Sequence, residues 1–154
     1  HDTTRLVLEA LEHHIRPGDR VLDIGCGSGI LSIASLLYGA DSAVGVDIDP
    51  TAVRTAQENG ALNGFTPPRY DMRVGDLARD ITGTYRVVVA NIVADAIIAL
   101  SPSVPPFLEP DGVYIVSGII DIREQDVLRA LAESGFTVRE RYASGGWLCL
   151  VTAR

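Results

Sequence analysis

Four features of this sequence could do chemistry together. The first is a glycine-rich run, Gly25-Cys26-Gly27-Ser28-Gly29, directly behind the apolar segment Val21-Leu22-Asp23-Ile24. Glycines in such a place allow a tight turn and let a ligand approach bare backbone. The second is Asp47, 22 residues beyond Gly25 at the end of the next apolar run. An acidic side chain there can grip two ribose hydroxyls. The third is Asp76, behind Gly75. It could accept a hydrogen bond from an exocyclic adenine amine while Leu77 or Ile48 packs on the ring, or it could cap the short segment that follows. The fourth is Asn91, which ends the β-branched run containing Val87, Val88 and Val89. A carboxamide at the end of a central strand faces the ligand crevice and is costly to bury without partners.

The spacing of the glycines narrows the ligand. A dinucleotide fingerprint is Gly-x-Gly-x-x-Gly; here the sixth position is Ile30 and the third glycine falls one residue early. Asp23, Asp47, Asp49 and Asp76 are expected at one rim of a sheet, although Asp49 before Pro50 also reads as a helix cap. An acidic rim favours a ligand carrying positive charge and disfavours a pyrophosphate. S-adenosylmethionine, with its cationic sulfonium and ammonium groups, fits such a rim better than a nicotinamide dinucleotide.

The elements that must position these residues follow from the apolar pattern. Helical spacing from Thr3 to Ile15 ends in the turn Arg16-Pro17-Gly18-Asp19. Arg20–Ile24 reads as a buried strand, Ile30–Tyr38 as a helix capped by Gly39, and Ser42–Val46 as a second strand. Pro50 opens a helix to about Leu62; Tyr70–Val74 and Tyr85–Ala90 are strands, and Val93–Leu100 is a helix. Glu109-Pro110-Asp111-Gly112 reads as a turn before the strand Val113–Ser117, and Asp121–Ser134 as a helix. Phe136–Tyr142 and Gly146–Thr152, joined by Ala143-Ser144-Gly145, form a hairpin. Strands alternating with helices predict a three-layer, doubly wound, Rossmann-like α/β sheet, mostly parallel with an antiparallel C-terminal strand.

Composition sets the outer bounds. The 154 residues include 20 acidic and 13 basic ones, every basic one an arginine, for a net charge of -7. With 47% hydrophobic residues the chain has material for a single folded domain, which excludes intrinsic disorder. No basic stripe offers a nucleic-acid footprint, and no apolar run approaches the ~20 residues of a membrane span. Cys26 and Cys149 match neither a disulfide scaffold nor a zinc pattern, so no metal is expected and the setting reads as reducing and cytoplasmic. His13 and His14 suit the C-terminal end of the first helix, and Cys26 reads as a small residue and not a nucleophile. Trp147 reads equally as core or pocket wall, and the charges of 121–124 and 139–141 as solvated faces. The chain starts at His1 and its one methionine is Met72, so it is expected to be a piece of a longer protein.

The run Val21–Gly29 together with Gly45-Val46-Asp47-Ile48-Asp49-Pro50 resembles the class I S-adenosylmethionine-dependent methyltransferases. Three further stretches resemble one family within them, the ribosomal protein L11 methyltransferases. These are His1-Asp2-Thr3-Thr4-Arg5, Val89-Ala90-Asn91-Ile92-Val93-Ala94, and Ser117-Gly118-Ile119-Ile120 with Gly146-Trp147. The resemblance covers the whole chain and implies a catalytic domain whose separate N-terminal, substrate-gripping domain is absent. It also implies cofactor contacts at Thr4, Gly25, Asp47 and Asn91, to which the glycine loop and acidic rim add Asp23, Gly27, Gly29, Ile48 and Asp76. Asn91 is then the expected catalytic residue, accepting N–H groups of a protein amine, with a large-subunit ribosomal protein as partner. Related enzymes acting on planar amides or nucleobases carry Asn/Asp-Pro-Pro-aromatic here; Asn91-Ile92-Val93-Ala94 has neither proline nor ring and suits a flexible aliphatic amine. A small-molecule or other protein substrate, and a non-catalytic S-adenosylmethionine-binding module, are the alternatives.

Overall fold

The computed structural model describes residues 2–154. Helix α1 (Asp2–His14) leads into strand β1 (Arg20–Ile24), α2 (Ile30–Leu37), β2 (Ser42–Asp47) and α3 (Pro50–Leu62). There follow β3 (Tyr70–Val74), the short α4 (Leu77–Asp80), β4 (Tyr85–Asn91), α5 (Ala94–Leu100) and β5 (Leu108–Ile120). Helix α6 (Glu124–Glu133) and strands β6 (Thr137–Ser144) and β7 (Trp147–Ala153) complete the chain. The seven strands form one sheet in the order β3-β2-β1-β4-β5-β7-β6. All pairings from β3 to β5 are parallel, and β7 runs antiparallel to both β5 and β6. The strand order reverses between β1 and β4, where a doubly wound sheet opens a crevice at its carboxyl edge.

Burial follows from that architecture. Strand β4 is central and buried over residues 85–90, as a parallel strand covered on both faces must be. Val87, Val89 and Ile115 pack with Leu11 of α1 on one face; Val88, Tyr114 and Val116 pack with Ile97 and Leu131 on the other. Each such fully buried aliphatic side chain contributes about 1.5–3 kcal/mol relative to exposure.

Two expectations change. The turn at 109–112 is absorbed into β5 as an irregularity: Tyr85 pairs with Leu108, and Val87 next with Val113. The intervening residues bulge, so the strand starts five residues earlier than the apolar run suggests. The helix expected from Asp121 begins as a 3-10 turn at Asp121–Arg123 and becomes α-helical at Glu124. The charges of these segments also do more than face solvent: Arg123 bridges Asp95 and Asp126, and Arg141 grips Glu124 through Nε and a terminal nitrogen. His13 and His14 reach across to Tyr142 and Glu140 on β6, 3.2 and 2.9 Å away, and so fasten α1 to the sheet edge. Trp147 is partly buried against the α1-side core.

Candidate functional site

Strand β1 delivers the glycine run to the carboxyl edge of the sheet, where Gly25, Gly27 and Gly29 all adopt positive φ. The loop is tied to β2 by hydrogen bonds from the Gly25 and Cys26 N–H groups to the Val46 carbonyl, 2.8 and 3.1 Å. Asp47, at the end of β2, completes the tie. Its Oδ2 accepts from Gly27 N–H at 3.0 Å and its Oδ1 from Asp49 N–H at 2.9 Å. A carboxylate has about four acceptor positions, so each oxygen keeps one for a ligand hydroxyl. Gly29 is buried, and a Cβ on it would run into the Tyr70 hydroxyl and Ala56 of α3, which gives it a packing task. Cys26 is buried beside Gly45, and burial together with the nearby Asp23 and Asp47 charges pushes its thiol up to about 12. That thiol is a small packing group, as expected.

Beside the loop lies a cavity of about 420 Å³ walled by Gly25, Ile48, Leu77, Ile92 and Leu100, with Asp47 and Asp76 at its polar margin. Its lining is mostly apolar, which suits a flat heterocycle with a few fixed polar contacts. Ile48 is 81% exposed and so free to cover a ligand ring. Asp76 takes the capping task, its Oδ1 accepting from Arg79 N–H of α4 at 3.0 Å, and the residue also borders the cavity. Asp49 caps α3 through Thr51 N–H at 2.9 Å. Ala96 and Leu100 of α5 were not anticipated as walls, although their i, i+4 spacing marks one helix face. An open hollow of about 590 Å³ near Gly18, Asp41 and Arg69 gathers none of the candidate residues.

Asp23 is not on the rim. It is 1% exposed on the α2 side of β1, where Ser32 Oγ donates to its Oδ2 at 2.8 Å. Burial, with a smaller contribution from Asp47, raises its carboxyl from 3.8 to about 6. Side-chain alternation explains the difference: Leu22 and Ile24 face one core, Val21 and Asp23 the other.

Asn91 and the first turn of α1, which carries Thr4, lie at the neighbouring corner. Asn91 is half-buried at the end of β4, in register with Ser117 of β5. Ser117 Oγ donates to the Thr3 carbonyl at 3.3 Å, which brings the first turn of α1, and half-buried Thr4 with it, to this corner. Asn91 Oδ1 and the Ile92 carbonyl oxygen both lie near the Cα of Gly118, within about 6 Å of each other. Two acceptors so placed can share the N–H groups of one amine. His1, quoted with Thr3 and Thr4, lies outside the described residues.

The sheet order, the glycine loop tied to an acidic strand end, and the apolar cavity beside it define a class I methyltransferase fold. A crystal structure of magnesium protoporphyrin IX methyltransferase from Synechocystis PCC 6803, solved with bound S-adenosylmethionine, superposes with a TM-score of 0.80 at 23% identity, covering 99% of this chain and 78% of that one. The pattern of the family described as ribosomal protein L11 methyltransferase (PrmA) matches residues 1–154, and the chain belongs to that family. A ribosomal protein L11 methyltransferase from Carboxydothermus hydrogenoformans is 45% identical over 154 residues, all of this chain and 50% of the relative. The ribosomal protein L11 methylase of Lactobacillus delbrueckii subsp. bulgaricus superposes with a TM-score of 0.95 at 34% identity, covering 100% of this chain and 79% of that structure. The chain spans about half the length of the curated relatives it matches.

Proposed function

We propose that this chain is the S-adenosylmethionine-binding, catalytic domain of a protein N-methyltransferase that modifies amines of ribosomal protein L11. The observation that carries this is the acceptor pair of Asn91 Oδ1 and the Ile92 carbonyl, set at the strand end beside a carboxylate-edged apolar cavity. The residues fit the cofactor: Asp47 has free acceptor positions for two ribose hydroxyls, Ile48 and Leu77 offer apolar faces for an adenine, and Asp76 can take its amine. Gly25 lets the ligand lie against backbone, and Thr4 approaches from α1. When bound, S-adenosylmethionine supplies a methyl group on a positively charged sulfur.

The residues of the chain then align the other reactant. A protein amine must be neutral to attack, and a free lysine has a pKa of ~10.4. Asn91 Oδ1 and the Ile92 carbonyl accept N–H bonds and thereby aim the nitrogen lone pair towards the cavity. Neither group takes the proton; it passes to water. Substrate gripping belongs on this proposal to a separate domain, and the setting is the cytoplasm. No helix among the described residues is long and apolar enough to cross a membrane.

Incubation with tritiated S-adenosylmethionine and purified ribosomal protein L11 tests the proposal: label should appear in L11 in acid-stable form. Asn91→Ala should slow labelling about a hundredfold while the unfolding midpoint stays near wild type. Wild-type turnover in that variant removes Asn91 from catalysis, and cofactor binding without label in any protein favours a binding module.

A further inference from the structure

Ile92 sits in a slot between two glycines, Gly25 just past the end of β1 and Gly118 within β5, the strands that flank β4. On the β1 side, a Cβ on Gly25 would lie 2.8 Å from Ile92 Cγ2. On the β5 side, a Cβ on Gly118 would lie 2.8 Å from the Ile92 carbonyl oxygen and 3.0 Å from Asn91 Oδ1. Gly118 has φ +84° and is the extra residue of a bulge, since Ser117 pairs with Cys149 of β7 and Ile119 with Leu148. The bulge turns the bare Cα of Gly118 toward the acceptor pair, while Ser117 holds Ile92 N–H through its carbonyl at 3.1 Å.

We infer that Gly118 is a positioning residue for methyl transfer, its missing side chain setting where the Asn91 carboxamide and the Ile92 carbonyl stand. The inference rests on the proposed amine methylation. The Ile92 oxygen is main chain and anchored through its own N–H to β5, so a methyl group at 118 can be accommodated only by moving the peptide or the carboxamide. Either movement displaces one acceptor relative to the other and spoils the pair. The side chain of Ile92, facing the cofactor cavity, is on the opposite side of the slot.

Gly118→Ala compared with Gly135→Ala isolates this role. Gly135, just beyond α6, has φ +88° and nothing within 4 Å of an added Cβ, so both variants carry the same backbone strain and only one meets the acceptors. With L11 as the acceptor protein, kcat of Gly118→Ala should fall 10- to 100-fold, with S-adenosylmethionine affinity by calorimetry within threefold of wild type. Gly135→Ala should keep kcat within twofold while losing a similar amount of thermal stability. Independently of turnover, the side-chain amide resonance of Asn91, assigned by its loss in Asn91→Ala, should shift in Gly118→Ala and stay in place in Gly135→Ala. An unmoved resonance, or a kcat matching that of Gly135→Ala, overturns the inference. Absence of label from wild-type protein overturns the proposed function instead and leaves the resonance comparison to decide the role of Gly118.

Discussion

At the amino end of β1, Asp19 is buried with its Oδ1 2.7 Å from Arg86 Nε, whereas at the carboxyl end of the same strand Asp23 is buried against a serine hydroxyl with Asp47 nearby. The two carboxyls are four residues apart on an extended strand, roughly 13 Å. Around Asp19 both oxygens are held by the fold: Arg16 N–H donates to Oδ2 at 2.8 Å and Arg86 Nε to Oδ1, and Arg86 also donates to the carbonyls of His14 and Asp111. That cluster ties α1, β1, β4 and β5 together at one edge. At the other edge no arginine is paired with Asp23 or Asp47 among the described residues. One edge spends its negative charge on the fold, and the other leaves it without an arginine partner, available on the proposed function to a cationic ligand.

The largest expected effect tests the structural edge. Arg86→Ala leaves Asp19 buried at 6% exposure without its counter-charge, which costs about 3–5 kcal/mol. Urea unfolding should show this loss, while calorimetry on the folded fraction should return wild-type affinity for S-adenosylmethionine. An affinity that falls in step with stability would mean that the two edges are not separable.

Asp23 gives the next effect, with the opposite sign. Its carboxyl titrates near 6 in the folded chain against 3.8 ordinarily, so the folded state holds the proton more tightly. Stability from this group is therefore full below pH ~4 and is lost as pH rises through about 6, a fall of about 3 kcal/mol. Asp23→Asn can still accept from Ser32 and carries no charge. The difference between variant and wild type, followed by urea unfolding from pH 4 to pH 8, should grow in the variant's favour as pH rises. The variant's affinity for the cationic cofactor should drop. A difference that stays flat across that range removes the buried charge from the account.

Much of this contrast was legible in the sequence, but unevenly. The positions of the glycine run, Asp47 and Asn91 were readable because they are local: each stands at a strand end followed by a turn or helix. The buried position of Asp23 was not, because it depends on which face of β1 the alternation assigns to α2 and its Ser32. Asp19 and Arg86 are 67 residues apart, and each looked ordinary alone, one in a turn and one in a β-branched run. The early start of β5 was hidden by Glu109-Pro110-Asp111-Gly112, a good turn sequence that tertiary pairing with Tyr85 overrode. The closeness of Ile92 to Gly25 and Gly118 emerges only when β1, β4 and β5 are side by side.

The smallest predicted effect on the fold falls at Asp47. It is half-exposed, and the N–H groups of Gly27 and Asp49 that it accepts lie in a loop and turn open to solvent. Asp47→Ala frees those donors to water, so the stability loss should be on the order of 1 kcal/mol. The same change removes the two acceptors proposed for the ribose and one of the ties between the glycine loop and β2, and affinity for S-adenosylmethionine should fall tenfold or more by calorimetry. Asp47 thus inverts Arg86, with a large effect on the ligand and a small one on the fold. If Asp47→Ala instead unfolds the chain at unchanged affinity, its carboxylate is a loop tie like that of Asp19, and the distinction between the two edges collapses to Asp23 alone.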